Sequence, residues 1–310
     1  MLQLLVTAFL VQTGNTRAVC SFELLPKSRV VVVDWDGTCH RSDDAGKTWG
    51  DPSATWIRQT VRVSELEIWG ITAIDLNERI ACTVDGGKSW TAVVLASNSF
   101  RPMALLGVRD GCPLLVDQIG QVRQWKRSDK PKSDGSDWLP LGAPIPQLDD
   151  YVSSGCCVDE TLYVGSPGRI WRSTDMGKTW KAFDCRVKSP VVEFATSTSS
   201  CWAATREGTI FQVARGRDAW TKVASIPNAW FVFGLAATDE GVFVAGRKDP
   251  PGAILAFVGA DGTVSDCGAP PESQVAGPIR IDDRKDAWVA TDRGLFIRRE
   301  NCWTRVWPAK

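Results

Sequence analysis

The chain carries one eight-residue phrase three times: SDDAGKTW at residues 42–49, TVDGGKSW at 83–90 and STDMGKTW at 173–180. The common pattern is Ser/Thr-x-Asp-x-Gly-Lys-Ser/Thr-Trp. Three degenerate copies keep only the final Trp of the pattern, at Trp138, Trp220 and Trp303. Val264 occupies the corresponding position of a seventh copy. Successive ends are 39 to 48 residues apart, so seven units of about 44 residues account for the whole chain. Repeats of this length are typical of the blades of a β-propeller.

Each unit contains short β-prone runs that are separated by turn residues. In the fourth unit these runs cover residues 151–158, 161–165, 169–173 and 179–183, and the fifth and seventh units repeat the scheme. No stretch shows a helical period with caps. We therefore predict an all-β fold, a seven-bladed β-propeller with four-stranded blades that forms a single domain over residues 1–310. The second unit matches least well, because its two central strands cannot be separated between Ser64 and Ala81.

The repeated phrase is predicted to be a structural turn. Its Asp and hydroxyl side chains can hydrogen bond to the backbone of a tight turn, its Gly supplies a positive φ, and its Trp begins the next strand. The residues given this role are Ser42, Asp44, Gly46, Trp49, Asp85, Gly87, Trp90, Ser173, Asp175, Gly177 and Trp180.

These phrases resemble the Asp-box, or BNR, repeat. That repeat occurs in sialidases, in many bacterial glycan hydrolases, in sortilin-like receptors and in photosystem II assembly factors of the Ycf48 type. The weaker units extend the resemblance over nearly the full chain. It implies a β-propeller with the box between the third and fourth strands of a blade, on the side away from the usual ligand face.

The charge balance and the apolar runs exclude several function classes. The chain has 36 Lys and Arg against 36 Asp and Glu, which gives no electrostatic reason to expect nucleic acid or an anionic membrane as partner. The longest nearly apolar run, residues 2–11, is about half the length that spans a bilayer, so we expect no transmembrane segment.

The N-terminal residues allow two interpretations. Residues 1–17 are expected to form a strand that latches the ring beside residues 303–307, and the alternative is a weak export signal that lacks a basic start. The ten Cys are interpreted as buried thiols of a cytoplasmic protein, and disulfides in an oxidising compartment are the alternative. Cys156 and Cys157 are the only pair that is close in sequence.

The sequence contains no assembled set of catalytic residues. Each phrase contains Gly-Lys-Ser/Thr, but a phosphate loop needs a Gly where this chain has Arg41, Cys82 and Arg172. The single His, His40, is interpreted as a structural or surface residue and not as a base or a metal ligand, because it lacks spaced Cys partners. We expect no catalytic residue, no metal ion and no cofactor.

Sialidase activity is also not expected. Sialidases with this repeat use an arginine triad, a Tyr–Glu pair, an Asp, and an aromatic-Arg-Ile-Pro segment before the first box. Here the nearest segment is 100–102, which lacks the middle residue and follows two boxes. The two tyrosines, Tyr151 and Tyr163, both fall in predicted strands of one unit. Hydrolysis by a pair of carboxylates stays open as an alternative.

A partner could bind at the loops between the second and third strands of the blades. These loops are expected to converge on the face opposite the boxes, with several arginines in a basic arc and an acidic segment across it. The candidate residues are Asp34, Trp35, Asp36, Arg169, Arg206, Glu207, Arg247, Lys248 and Arg293. The other interpretation is that they are ordinary polar hairpin turns. Ycf48-type factors are regarded as having an arginine-rich face, but these arginines do not align with that family residue by residue.

The sequence thus predicts a non-enzymatic binding module that recognises a protein partner, as an assembly factor or a specific inhibitor of another protein. Arg and Trp are enriched at interface hot spots, which favours this hypothesis. The alternative is a glycan-acting hydrolase or lectin of the Asp-box class.

Overall fold

Seven antiparallel sheets of four strands each make up the computed structural model, which describes residues 18–54, 57–72, 79–93, 100–127, 137–146, 148, 151–300 and 302–308. Strands that follow one another in the chain pair with one another, so each sheet is one continuous segment. We number these sheets as blades 1 to 7 in chain order. The residues in these ranges form no helix, and so none that could cross a bilayer.

The first three blades contain strands β1 to β12. Blade 1 consists of β1 (Val19–Leu25), β2 (Arg29–Asp34), β3 (Thr38–Ser42) and β4 (Ser53–Ala54). Blade 2 consists of β5 (Ile57–Arg62), β6 (Ile68–Thr72), β7 (Arg79–Thr83) and β8 (Thr91–Val93). Blade 3 consists of β9 (Pro102–Arg109), β10 (Cys112–Asp117), β11 (Val122–Trp125) and β12 (Trp138–Leu141). The two strands of the second unit that the sequence left unseparated are β6 and β7.

The other four blades contain strands β13 to β28. Blade 4 consists of β13 (Ser154–Val158), β14 (Thr161–Ser166), β15 (Arg169–Ser173) and β16 (Lys181–Asp184). Blade 5 consists of β17 (Val191–Thr196), β18 (Ser200–Thr205), β19 (Thr209–Ala214) and β20 (Thr221–Ser225). Blade 6 consists of β21 (Ala229–Ala237), β22 (Gly241–Lys248), β23 (Gly252–Gly259) and β24 (Val264–Asp266). Blade 7 consists of β25 (Ala276–Ile281), β26 (Ala287–Thr291), β27 (Gly294–Arg299) and β28 (Cys302–Trp307).

The first strands of the blades form a closed ring. Each packs against the first strands of its two neighbours, in the order β1, β5, β9, β13, β17, β21, β25 and back to β1. This ring confirms the predicted seven-bladed propeller of four-stranded blades.

The direction of the strands gives the ring two distinct faces. Because successive strands are antiparallel, the loops between second and third strands share one face with the connections between blades, and we call it the top face. The loops between third and fourth strands lie on the opposite face, the box face. All three boxes, residues 42–49, 83–90 and 173–180, lie between third and fourth strands, as the resemblance implied.

The core lies between the blades. Each sheet is packed between two others, so a second strand such as β2 is buried on both sides and carries the uninterrupted apolar run from Val30 to Val33. Side chains of neighbouring blades interlock in shared clusters. Trp202 of blade 5, for example, packs with Val232 and Val244 of blade 6.

Blades 7 and 1 close the ring through apolar packing. Phe22 and Val32 of blade 1 share a buried cluster with Trp288 and Trp307 of blade 7. The indole Nε1 of Trp49 also donates a hydrogen bond of 3.1 Å to the carbonyl oxygen of Val306. The predicted latch by residues 1–17 lies outside the described residues and stays a prediction.

Polar side chains join neighbouring inner strands. The amide of Gln59 on β5 bonds both backbone groups of Leu105 on β9, accepting from its N–H at 2.9 Å and donating to its carbonyl at 3.2 Å. Ser154 on β13 donates a 2.6 Å hydrogen bond to the carbonyl of Val191 on β17. These bonds satisfy backbone groups at an edge that no further strand covers.

Most inner strands also contain a bulge near their top end. In β21 the pairing with β22 passes from Ala229 directly to Phe231, which leaves Trp230 without a partner in the ladder. Comparable shifts occur in β1, β5, β9, β17 and β25. Because a bulge re-aims side chains, it changes what the ring presents at its top entrance.

Candidate partner-binding face

The box turns use their polar side chains internally. In the third box Ser173 Oγ donates to Asp175 Oδ1 at 2.8 Å and accepts from the N–H of Gly177 at 2.8 Å, while Thr179 Oγ1 donates to Asp175 Oδ2 at 2.6 Å. The first and second boxes repeat these three bonds. Gly177 has a φ of 84°, as a tight turn of this kind requires.

These hydrogen bonds also determine the charge state of the box carboxylates. The hydroxyl and backbone N–H of Thr179 lower the pKa of Asp175 to about 2, and Thr48 does the same for Asp44. The pKa of Asp85 also falls to about 2, because bonds from Ser89 and Thr83 outweigh the raising effect of burial. The box carboxylates are therefore ionised at neutral pH, and their oxygens are used within their own turns. The candidate binding residues lie on the other side of the ring, on the top face.

Asp34 stabilises its own top-face loop. Its Oδ1 accepts from the N–H groups of Asp36 and Thr38 at 3.0 and 2.9 Å, and its Oδ2 lies 3.0 Å from His40 Nε2. The residue is only 6% exposed. Of the acidic segment expected from the sequence, the structure leaves Asp36 exposed and Trp35 half-buried.

Blade 3 holds its top-face loop in the same way, since Asp117 Oδ1 accepts from the N–H groups of Ile119 and Gln121. In blade 7, Asp292 Oδ1 instead accepts from the N–H groups of Gln274 and Val275, in the connection that leads from blade 6. A buried Asp at the end of the second strand is thus a local turn device in blades 1 and 3 and a tie between segments in blade 7.

His40 contacts a carboxylate and an aromatic ring of the protein. Besides Asp34, it packs against Trp307 with ring centroids 5.1 Å apart, in the seam between blades 1 and 7. Among the described residues no three His, Cys, Asp or Glu side chains form a group that could hold a metal ion.

Tyr163 lies in the core between blades 4 and 5. It is 4% exposed and packs edge-on against Trp220 at 5.3 Å. Its hydroxyl is therefore not presented on either face.

The four candidate arginines lie at the top-face ends of blades 4 to 7. Arg206 and Arg293 lie in loops, whereas Arg169 begins strand β15, and Arg247 and Lys248 end strand β22, where the sequence predicted a loop. The guanidinium carbon of Arg169 lies 5.8 Å from the Trp171 ring. Arg293 Nε lies 3.7 Å from Asp292 Oδ2 and donates to the carbonyl of Glu272 at 3.3 Å. Arg169 and Arg293 are therefore each held by neighbouring groups of their own blade or of the connection before it.

Arg206 and Arg247 each lie over an aromatic ring of blade 6. The guanidinium carbon of Arg206 lies 5.9 Å from the centre of Phe231, and that of Arg247 lies 4.9 Å from the centre of Trp230. Arg206 also lies 3.5 Å from Glu207. Glu207 and Lys248 are exposed beside them.

Three aromatic residues at the start of β21 complete this part of the face. Trp230 is 48% exposed, and the half-buried rings of Phe231 and Phe233 stack with centroids 4.5 Å apart and planes 16° apart. We define the aromatic–arginine patch by its members: Arg206, Trp230, Phe231, Phe233 and Arg247.

Backbone hydrogen bonds hold the two sides of the patch together. The N–H of Val232 donates to the carbonyl of Arg206 at 2.9 Å, and the N–H of Arg206 donates to the carbonyl of Pro190 at 2.8 Å. The loop of blade 5 is thereby fixed to the inner strand of blade 6.

The two arginines of the patch are among the residues predicted from the sequence, but its aromatic residues are not. The prediction covered the loops between second and third strands, whereas these rings stand at the start of a first strand. The signal was present in AWFVF at residues 229–233, three aromatic residues within five positions after a Pro-Asn turn. Two further exposed apolar side chains, Ile119 and Tyr151, lie on the same top face at blades 3 and 4.

Comparison with known proteins shows a likeness in structure but none in sequence. No protein-family model matches the chain, and no curated protein matches it. A solved streptogramin B lyase is 12% identical, with a TM-score of 0.71 over 91% of this chain and 93% of that one. YCF48 bound to D1 peptide is 14% identical, with a TM-score of 0.66 over 92% of each chain. The WD40 β-propeller domain of Doa1 is 13% identical, with a TM-score of 0.66 over 92% of this chain and 93% of that one. These structures include an enzyme and binding proteins, and what the likeness shows is the seven-bladed β-propeller fold.

Proposed function

We propose that this protein is a non-enzymatic binding module that recognises a protein partner through its top face. The aromatic–arginine patch carries the proposal. It combines a half-exposed Trp with two arginines that are positioned over aromatic rings, and these residue types dominate the binding energy of protein interfaces.

The patch favours a partner segment that has both apolar and acidic side chains. An apolar side chain can pack on Trp230, while Arg206 and Arg247 at the edge of the same surface supply guanidinium groups, which match carboxylate oxygens in charge and geometry. Because the guanidinium groups already rest on rings, less side-chain entropy is lost on binding. YCF48, one of the similar structures, is described as bound to a peptide, which supports a peptide segment as the ligand class here.

We also assign the box turns to the Asp-box repeat class. The support is the identical set of three hydrogen bonds in all three boxes, on the face opposite the patch. Within that class the protein would serve as an assembly factor or as a specific inhibitor of its partner.

The alternative of a glycan-acting hydrolase or lectin has less support. Asp34 and Asp292 on the top face are buried and hydrogen-bonded to backbone N–H groups, and Tyr163 lies in the core. The lyase among the similar structures is only 12% identical, so its chemistry does not transfer.

The proposal is tested by selecting peptides from a displayed random library on the immobilised protein. Selected peptides should be rich in apolar and acidic residues, and the variant Arg206→Glu/Arg247→Glu should lose them. The matched control is Arg217→Glu/Arg284→Glu, which makes the same charge change at two exposed arginines of the box face. Equal retention by both variants would place binding elsewhere, and a failure to select any peptide would count against this ligand class.

A further inference from the structure

Two cysteines of neighbouring blades are in contact. The Sγ atoms of Cys156 on β13 and Cys201 on β18 are 3.8 Å apart, although 45 residues separate them in the chain. That separation is close to one repeat, so the contact joins blade 4 to blade 5. All ten cysteines of the chain lie in the described residues, and all are free thiols.

The thiol that contacts Cys156 is that of Cys201 and not that of its sequence neighbour Cys157. Cys157 is its neighbour in the chain, but successive side chains of a strand point to opposite faces of a sheet. Cys157 packs with the cluster that includes Leu106 between blades 3 and 4, whereas Cys156 packs with Cys201 between blades 4 and 5. The two neighbouring thiols therefore lie on opposite sides of blade 4.

The contact lies in an apolar seam. Tyr163, Val191, Ala203 and Trp220 belong to the same cluster as Cys201. Cys201 is 2% exposed, whereas the residue Cys156 is only partly buried.

We propose that Cys156 and Cys201 form a redox-active pair that a peroxide converts into a disulfide between blades 4 and 5. A disulfide bond needs the sulfur atoms about 2.05 Å apart, so the two side chains must close a gap of about 1.8 Å. Cys156 lies on β13 of blade 4 and Cys201 on β18 of blade 5, so the movement that the link requires is rotation of these two side chains across the seam.

The reaction proceeds in two steps and balances with one hydrogen peroxide. The Cys156 thiol loses its proton, and its sulfur attacks one peroxide oxygen. The O–O bond breaks, and the hydroxide that leaves takes up the proton as water, which gives Cys156 sulfenic acid. The Cys201 thiol then loses its proton, and its sulfur attacks the Cys156 sulfur. The S–O bond breaks, and the hydroxide leaves as a second water. Two thiols lose two electrons in total, and one peroxide is reduced to two waters.

The surroundings of Cys156 make the first step dependent on pH. Its contact with Cys201 and its burial raise the pKa of Cys156 well above the usual range of a thiol. Since the thiolate is the reacting species, the rate of cross-linking should rise with pH over the neutral and mildly alkaline range.

In the experiment, the wild-type protein is treated with hydrogen peroxide, and the remaining thiols are blocked by alkylation. The protein is then digested without reductant, and linked peptides are mapped by fragment mass spectrometry. The expected main product links Cys156 to Cys201, with the loss of two hydrogen atoms, and dithiothreitol restores both thiols. Cys157→Ser should form the same link, and Cys201→Ala should not. The oxidised protein should also melt at a higher temperature than the reduced one, because the link constrains the unfolded chain.

Three results would overturn the proposal: a main link through Cys157 or the exposed Cys302, a main link between two molecules, or oxidation of Cys156 to sulfinic acid without a link. The mapping on the wild type decides between these outcomes even if Cys201→Ala does not fold, and Cys201→Ser then replaces it as the negative control.

Discussion

The guanidinium carbon of Arg247 lies 4.9 Å from the centre of the Trp230 ring, across the first and second strands of blade 6. The bulge in β21 makes this contact possible. It takes Trp230 out of the ladder, so that Arg247 pairs in register with Phe231 while its side chain covers the indole. The pair places a cation and a large apolar surface next to each other at the top entrance of the ring.

Trp230→Ala should weaken partner binding without unfolding the protein. Truncating a hot-spot Trp costs about 2 kcal/mol or more of binding free energy, roughly a 30-fold loss of affinity. Stability should change little, because nearly half of the side chain is exposed. Calorimetry on a selected peptide and thermal melting measure the two effects.

Two control variants complete that test. Val264→Ala alters a comparably exposed residue of the outer strand in the same blade and should leave affinity unchanged. Trp202→Ala alters a residue that is 1% exposed and should lower the free energy of unfolding by about 3 to 5 kcal/mol. If Trp230→Ala behaved like Trp202→Ala, the indole would be a core residue and not a ligand contact.

Asp175→Asn should destabilise the protein at neutral pH and have a smaller effect in acid. The folded turn lowers the pKa of Asp175 from 3.8 to about 2, chiefly through the hydroxyl of Thr179. A lowered pKa stabilises the fold above the unfolded value, and this contribution is lost as pH falls from about 4 to about 2. The difference in melting temperature between wild type and variant should therefore shrink over that range.

Asp283→Asn is the control for the box variant, since Asp283 is exposed on another loop of the box face. It should melt like the wild type across the same pH range. A pH-independent difference for Asp175→Asn would show that the turn needs the shape of the side chain and not its charge.

Glu193→Gln should stabilise the protein increasingly as pH rises. Burial raises the pKa of Glu193 on inner strand β17 from 4.5 to about 8, against the lowering effect of Arg280. The folded state therefore keeps a proton that the unfolded state releases between about pH 4.5 and 8. In that window the free energy of unfolding falls with pH, by at most about 1.4 kcal/mol per unit for one proton.

Urea unfolding at several pH values between 5 and 8 measures this effect. The wild-type curve should slope downward, and Glu193→Gln should remove that slope, whereas the exposed Glu207→Gln should leave it in place. Parallel curves for wild type and Glu193→Gln would mean that Glu193 is already ionised in the folded state.

Gly142→Ala should destabilise the protein more than Gly216→Ala. Both positions have a positive φ, 60° and 73°, which costs a non-glycine residue about 1 to 2 kcal/mol. At Gly142 the added methyl group would also collide with the backbone of Gly177 in the third box, whereas nothing lies within 4 Å at Gly216. Overpacking of this kind costs about 1 to 3 kcal/mol more. Denaturant unfolding gives the difference, and equal losses would mean that the box turn moves aside freely.

The sequence predicts most of the fold because the decisive interactions are local. The hydrogen bonds of a box join residues two and four positions apart, so the turn that contains Ser173, Asp175 and Thr179 is recognisable within one eight-residue segment. The spacing of these turns then fixes the number of blades. Burial of the second strands is likewise visible in runs such as Val30 to Val33.

The candidate site is predicted only in part because its contacts are not local. The approach of Arg206 to Phe231 depends on the packing of blade 5 against blade 6, and the position of Trp230 depends on a bulge that no residue type specifies. Asp34, in contrast, is held by local contacts. The sequence predicts it as a binding residue of the top face, but its carboxylate accepts hydrogen bonds from N–H groups two and four residues later. Asp-containing turns often adopt this pattern.

The central claim is that the top face binds a protein partner, and affinity capture from the native source tests it most directly. Wild type, Arg206→Glu/Arg247→Glu and Arg217→Glu/Arg284→Glu are immobilised at equal density, and bound proteins are quantified by mass spectrometry. We expect one protein to be retained in stoichiometric amount by the wild type and by the box-face variant, and to be lost from the folded top-face variant. Equal retention by all three proteins, or no stoichiometric partner on the wild type, would contradict the account.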